Sequence, residues 1–271
     1  MTNPYHAIRS ITARNYKKLY QRTKGFSLGS GKLVLVPGVQ RSGTNMIMDV
    51  LERNRYTDVY HETDLRAFEN YSLREIAQIR SLHGQSRAPF FVLKALQDSH
   101  RVAEIRSNFS ESAILWPYRD YRDMVNSHIV SWPGGREHID EIVKGQQLDN
   151  WRSRGLTEEI RKEMREVYRE DLNTESCVAL FWYMRNSLFF SQRLYSDSSV
   201  LLVKYESLVS DPAVGFEAIC RHITLPYEPK MHTIVHARSL RKNSAPPIDA
   251  AIAEICDGLQ TRLDKLTTNQ Q

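Results

Sequence analysis

The segment Gly38-Val39-Gln40-Arg41-Ser42-Gly43-Thr44-Asn45 follows an apolar run, Leu33 to Val36, and its residue types suit the capture of an anion. Glycines near both ends let the chain turn tightly, so that successive backbone N–H groups and the N-terminus of a following helix converge on one point. In ATP and GTP loops of pattern GxxxxGK[ST], a lysine reaches the β- and γ-phosphates and a hydroxyl residue holds Mg²⁺. Thr44 and Asn45 stand at those two positions here. What is left is a fork-shaped donor, Arg41, together with the Ser42 and Thr44 hydroxyls and the backbone amides. That set can hold a two-centre anion but is poorly equipped for a magnesium triphosphate. An ordinary turn between strand and helix uses the same residue types, so this loop does not decide the matter alone.

Three later segments stand in order behind it. Arg119 closes the run Ile114-Leu115-Trp116-Pro117-Tyr118, and Ser127 lies eight residues on, within a helical stretch from Asp123 to Val130. A strand-end arginine and a serine about two turns along the next helix can face one another across a phosphate; a surface ion pair and a plain helix serine are the alternative. The run Leu201-Leu202-Val203-Lys204-Tyr205-Glu206-Ser207-Leu208 carries a tyrosine at a strand end, with Asp211-Pro212 and a helix after it and an amphipathic helix containing Trp182 and Asn186 before it. A core tyrosine is the plain reading of Tyr205. Ser239-Leu240-Arg241-Lys242 is a basic loop further on.

Together these segments, running in order over roughly Lys32 to Asn243, resemble the sulfotransferases that use 3′-phosphoadenosine 5′-phosphosulfate (PAPS). The resemblance implies a P-loop NTPase-like α/β fold, PAPS as donor, adenosine 3′,5′-bisphosphate as product, and no metal. It implies a 5′-phosphosulfate loop carried by Gly38, Arg41, Ser42, Gly43 and Thr44, with Asn45 beside them. Arg119 and Ser127 match the 3′-phosphate site, Tyr205 the aromatic face near the adenine, and Arg241 with Lys242 the element that closes over the 3′-phosphate. Two departures stand out. The family often has Arg-Asp-Pro-Arg-Asp where this chain reads Arg119-Asp120-Tyr121-Arg122-Asp123, so a looser turn is expected, and Asn243 replaces an expected glycine.

Sulfuryl transfer is in-line attack on sulfur with negative charge growing on the bridging oxygen, so the protein's task is positioning and charge stabilisation. Arg41 is expected to stabilise the sulfate and the leaving oxygen. Lys94, ending the run Phe90 to Leu93 where the family often has a lysine, is expected to assist; a surface lysine is the alternative. An alcohol acceptor also needs a base. The histidine that cytosolic phenol and steroid sulfotransferases place after their second strand is not evident, because Lys94 is followed by Ala95-Leu96-Gln97-Asp98. Members acting on glycans or protein tyrosine use a glutamate in the region of Tyr60-His61-Glu62-Thr63-Asp64, which makes Glu62 the first candidate, ahead of His61, Asp98 and His100. Such a base and a polar cap point to a carbohydrate or glycolipid hydroxyl, nearer the glycan and bacterial-type members. Competing classes are a nucleotide kinase or NTPase with a degenerate loop, and a noncatalytic binder of anionic ligands.

These residues need a frame to position them. Strand-like runs at Leu33 to Val36, Phe90 to Leu93, Ala113 to Tyr118 and Val200 to Lys204 alternate with helical patterning. That predicts a parallel sheet flanked by helices on both faces, with ligand beyond the carboxyl ends of the strands. At 271 residues, 41% hydrophobic and 25% charged, the chain can bury one large core. The organisation expected is a single domain, 1–271, with a basic arm over 1–30 and a helical insertion or cap over about 133–174. The cap opens on Pro133-Gly134-Gly135 and passes through Thr157-Glu158-Glu159 into a charged helix ending near Glu170. Cys177, Cys220 and Cys256 are odd in number and contain no CxxC pair, which speaks against a disulfide framework or a zinc site and for small core residues. No signal-peptide core is present, nor an apolar run of the ~20 residues that span a bilayer, so a cytoplasmic protein is expected. A formal charge of +5 and a pI near 9.0 suit an anionic ligand without indicating nucleic acid. The arm, with Arg14, Lys17, Lys18, Arg22 and Lys24 interleaved with Tyr16 and Tyr20, is open to two readings: contact with an acidic membrane or glycan, or a helix packed on the domain.

Overall fold

Alternating side chains in a strand point to opposite faces, and the central run uses that alternation to feed two cores at once. In the computed structural model, which describes residues 4–146, 149–235 and 244–270 with side chains from residue 14, this run is β1 (Lys32–Leu35). The other strands are β2 (Thr57–Tyr60), the short hairpin β3 (Phe68–Glu69) and β4 (Ser72–Leu73), β5 (Phe90–Leu93), β6 (Ser112–Tyr118) and β7 (Val200–Lys204). The main sheet has the order β2-β5-β1-β6-β7, and every neighbouring pair is parallel. Register is set by pairs such as Leu35 with Leu93 on one side and Leu35 with Ile114 on the other. Leu33 and Leu35 enter one buried cluster with Trp116, Trp182 and Phe189, while Val34 and Val36 enter the other with Ile47, Leu51 and Phe216. A parallel sheet needs this cover on both faces.

The helices are α1 (Pro4–Thr23), α2 (Thr44–Glu52), α3 (Ile76–Gly84), α4 (Val102–Arg106), α5 (Tyr121–Ser131), α6 (Arg136–Val143), α7 (Glu158–Val167), α8 (Thr174–Ser191), α9 (Tyr205–Ser210), α10 (Pro212–Ile223) and α11 (Ala250–Gln270). The chain leaves β1 toward β2 on one side of the sheet and leaves β6 toward β7 on the other. The crevice between the carboxyl ends of β1 and β6 is therefore a topological switch point, where open α/β sheets bind ligands. The loop 36–43 and Arg119 both start there.

Four details differ from the expectations above. The strand β2 was not among the expected runs: Thr57-Asp58-Val59-Tyr60 is too short and polar to announce itself. The helix α8, read as amphipathic, is buried continuously from Ser176 to Phe189 because it lies between α5, α11 and the cap helix α6. The charged helix α7 stops at Val167 rather than near Glu170. Finally, the missing proline does not loosen the turn after β6. Asp120 caps α5 by accepting from the Arg122 and Asp123 amides, and the Tyr121 N–H that a proline would lack is taken by Gln260 Oε1 at 3.2 Å.

The cap helices dock by apolar faces, with Ile139, Ile142, Ile160 and Met164 buried in the larger cluster. Along α1, Lys17 donates to Glu52 O at 2.9 Å and Gln21 to Arg55 O at 3.0 Å, so this stretch of the arm packs on the domain. The three cysteines are buried and free. No described helix is long and apolar enough to cross a membrane.

Candidate functional site

A cleft of about 900 Å³ opens over the switch point. Its floor is the turn into α2, where Gly43 sits in the left-handed region at φ 88°. A Cβ there would meet the Tyr205 ring at 2.6 Å, so only glycine lets the loop and the tyrosine approach. Beyond it the first amides of α2 have no intrahelical acceptor and carry the positive end of the helix dipole. Thr44 and Asn45 face the cleft. Gly38 also has positive φ, at 116°, and a Cβ on it would lie 2.9 Å from Pro117 O. Its N–H, however, donates to Ser99 Oγ at 2.8 Å, and neither Gly38 nor Ser42 lines the cleft. The Ser42 hydroxyl is fully buried without a hydrogen-bond partner among the described residues.

Arg41 projects from the loop with φ 65°, a sparsely populated conformation for a non-glycine residue. Its Nε donates to Ser127 Oγ at 2.9 Å, and its guanidinium carbon lies 5.6 Å from the centre of the Trp132 ring. Arg119, buried at the end of β6, donates through Nη1 to Arg41 O at 3.4 Å and stands over the Tyr205 ring at 4.5 Å. Its position is fixed from behind, since Trp182 Nε1 donates to Arg119 O at 2.9 Å. Arg41, Arg119, Ser127 and Tyr205 thus share one cleft.

At the end of β5, Lys94 Nζ donates to Glu62 Oε2 at 2.5 Å, and both residues line the cleft. Lys94 is buried, not a surface lysine. Burial raises the Glu62 carboxyl above the usual carboxylate range, and Lys94 pulls against that rise. The other basic candidates are engaged elsewhere. His61 Nε2 lies 3.3 Å from Glu52 Oε2, Asp98 Oδ2 accepts the Leu73 amide at 2.8 Å, and His100 packs against Gly155. None of these three lines the cleft. Arg241 and Lys242 lie outside the described residues.

The remaining walls were not foreseen. Gln40 and His128 each bring a buried polar atom, Oε1 and Nδ1, with no protein partner among the described residues. His128 is pushed down to about 4 by burial and then by Arg41 and Arg152, so it is neutral at neutral pH. Trp132, the Pro133-Gly134-Gly135 turn, Ile139 and Arg152 come from the cap and its entrance, and Phe181 from α8. A helix of mixed polarity gives no spacing that marks such residues; only the polar cap as a whole was visible beforehand.

No protein-family model matches the chain, and no curated protein matches it in sequence. Among solved structures, a sulfotransferase domain from the curacin biosynthetic pathway superposes with a TM-score of 0.54 at 13% identity, over 85% of this chain and 98% of that one. The fold is that of the sulfotransferases. A sulfotransferase from Alicyclobacillus acidocaldarius superposes with a TM-score of 0.48 at 13% identity, over 87% of this chain and 95% of that one. Within the sulfotransferase fold, the loop residues Gln40, Arg41, Gly43, Thr44 and Asn45 line one cleft here with Arg119 after β6 and Lys94 after β5.

Proposed function

We propose that this protein is a PAPS-dependent sulfotransferase that moves a sulfuryl group to an acceptor hydroxyl. The observation that carries the proposal is the cleft itself, in which two arginines, a helix N-terminus and the Lys94–Glu62 pair meet over the switch point of a sulfotransferase fold. The residues present fit the donor. The α2 amides and Arg41 offer anion donors at the turn where Gly43 leaves no room for a Cβ beside the Tyr205 ring. When bound, PAPS supplies the sulfuryl group and departs as adenosine 3′,5′-bisphosphate.

Arg41 with the Thr44 and Asn45 amides would hold the sulfated end, Arg119 and Ser127 the 3′-phosphate, and Tyr205 the adenine. Glu62 takes the proton of the acceptor hydroxyl; its raised pKa makes it a stronger base than an exposed glutamate. Lys94, 2.5 Å from that carboxylate, neutralises negative charge on the transferring oxygens. The walls of the cleft include Leu96, Ile139, Val178 and Phe181, which supports an acceptor with an apolar body, such as a glycolipid, over a bare sugar. A cytoplasmic location is part of the same proposal.

Thermal shift with adenosine 3′,5′-bisphosphate, set against ATP plus Mg²⁺, tests the donor. A shift with the bisphosphate and transfer from labelled PAPS are expected. A shift with ATP alone would return a nucleotide kinase, and bisphosphate binding without transfer to a broad acceptor panel would return a noncatalytic binder.

A further inference from the structure

Part of the cleft wall is apolar. Leu96, Trp132, Ile139, Val178 and Phe181 line it together with the polar Glu137 and His138, and so does a guanidinium, that of Arg152. Arg152 is half-buried and lies over the Trp151 ring at 4.8 Å. Its hydrogen bonds within the protein are local and neutral, the backbone N–H and Nη1 reaching Asn150 Oδ1 at 3.0 and 3.5 Å. Among the described residues no carboxylate pairs with it within 4.0 Å. Guanidinium carries five N–H donors, and partly burying it is unfavourable unless acceptors complete them.

The position of this cation is defined. Arg185, wholly buried on α8, donates through Nη1 to Trp151 O and through Nη2 to Leu96 O, both at 3.0 Å. It thereby fastens the Arg152 turn to the wall that continues from Lys94. Arg119 and Tyr205 instead stand at the ends of β6 and β7, on the opposite side of β1 in the sheet. Burial pulls the Arg152 guanidinium below its usual range, and Glu141 counters that pull.

We infer that Arg152 is the specificity-determining residue of the acceptor subsite, and that the acceptor is an amphipathic alcohol bearing a carboxylate on its apolar body. The hydroxyl reaches Glu62 while the carboxylate meets the fork of Arg152. This inference rests on the sulfotransferase reading for the direction of the hydroxyl, but its binding test does not need a sulfuryl donor.

Calorimetry on the full chain compares matched pairs, hydroxyphenylpropionate with hydroxyphenylpropionamide and hydroxydecanoate with hydroxydecanamide. The acid of each pair binds about tenfold more tightly than the amide, the size of one charge-assisted contact, and the preference shrinks as salt is raised. In Arg152→Gln the two members of each pair come within about twofold, while the thermal shift given by adenosine 3′,5′-bisphosphate is unchanged. Should that variant not fold, Arg152→Lys replaces it, with the preference reduced to about threefold because the fork is lost. Equal affinity of acid and amide for the unsubstituted chain, or no binding of either, overturns the inference. So does a preference that survives Arg152→Gln, and so does loss of the bisphosphate shift in that variant, which would move Arg152 to the donor. An acid preference without any bisphosphate shift in the unsubstituted chain rejects the donor reading alone.

Discussion

On the strand-end side of the cleft, shape is made by backbone. Gly43 lets the Tyr205 ring close on the loop, the α2 amides point outward, and Arg119 is pinned through its own carbonyl by Trp182. On the cap side, shape is made by side chains from separate elements: Trp132 from the end of α5, Ile139 from α6, Arg152 from a turn and Phe181 from α8. A backbone cradle recognises what is constant, the phosphates of a donor, because amides offer the same donors whatever the side chains are. A side-chain wall recognises what varies from one acceptor to another, because it can change residue by residue without altering the sheet.

The largest effect that separates the two sides is at Arg41. Replacing it with alanine removes the guanidinium aimed at the growing charge, and kcat is expected to fall about a hundredfold to a thousandfold, read by single-turnover transfer from labelled PAPS. Acceptor binding measured without donor is expected to stay the same. If acceptor affinity falls in parallel, the division between the sides is wrong.

Next comes Glu62, at the junction. Glu62→Gln is expected to lower kcat about a hundredfold, within the usual range for loss of a general base. Its sign with pH is fixed by the direction of the shift. The ionised carboxylate is the active form and burial raises its pKa, so kcat/KM falls as pH drops through a value above the ordinary glutamate range. In Glu62→Gln this acidic limb disappears. Full activity in the variant, or an unchanged limb, removes Glu62 from the role.

Arg119→Ala is expected to weaken adenosine 3′,5′-bisphosphate by about tenfold to a hundredfold in calorimetry, the size of a charge-assisted contact to phosphate. Adenosine 5′-monophosphate, which lacks the 3′-phosphate, is expected to lose far less. An equal loss for both nucleotides would mean that Arg119 acts only through the Tyr205 ring it covers.

The same division explains what could be read from the chain. The loop 38–45, Arg119 with Ser127, and Tyr205 each sit at a strand end with their chemistry close in sequence, so spacing alone places them beside one sheet edge. Their consequences in space were less visible: Gly38 turns its amide to Ser99 instead of the cleft, and Arg41 and Ser127 touch directly. The cap side has no such local grammar. Arg152 and Phe181 come from separate elements and line one cleft, Phe181 from an α8 that is buried all round. The amphipathic reading of α8 fails because its polar residues Arg185, Asn186 and Ser187 are buried as well. Each bonds internally, Arg185 through Nη1 and Nη2 to the Trp151 and Leu96 carbonyls, Asn186 to Trp182 O and Ser187 to Tyr183 O, although Arg185 Nε has no partner among the described residues. Hydrogen-bond satisfaction is a property of the assembled core, and no periodicity encodes it.

Trp132 tests the boundary most finely, because it belongs to both sides. It is half exposed, it lies under the Arg41 guanidinium at 5.6 Å, and its ring meets His128 edge-on at 5.3 Å. As an acceptor wall it contributes contact area, so Trp132→Ala is expected to raise acceptor KM about threefold to tenfold with kcat little changed, in line with one aromatic contact of about 0.5–1.5 kcal/mol. As a prop for Arg41 it would act on kcat instead, because a guanidinium free to swing loses its alignment with the growing charge. Trp132→Phe separates the two, since phenyl keeps a face for the cation and gives up area. Partial recovery of KM with kcat unmoved throughout places Trp132 in the acceptor wall, whereas a kcat that falls with alanine and returns with phenylalanine makes it part of the donor side.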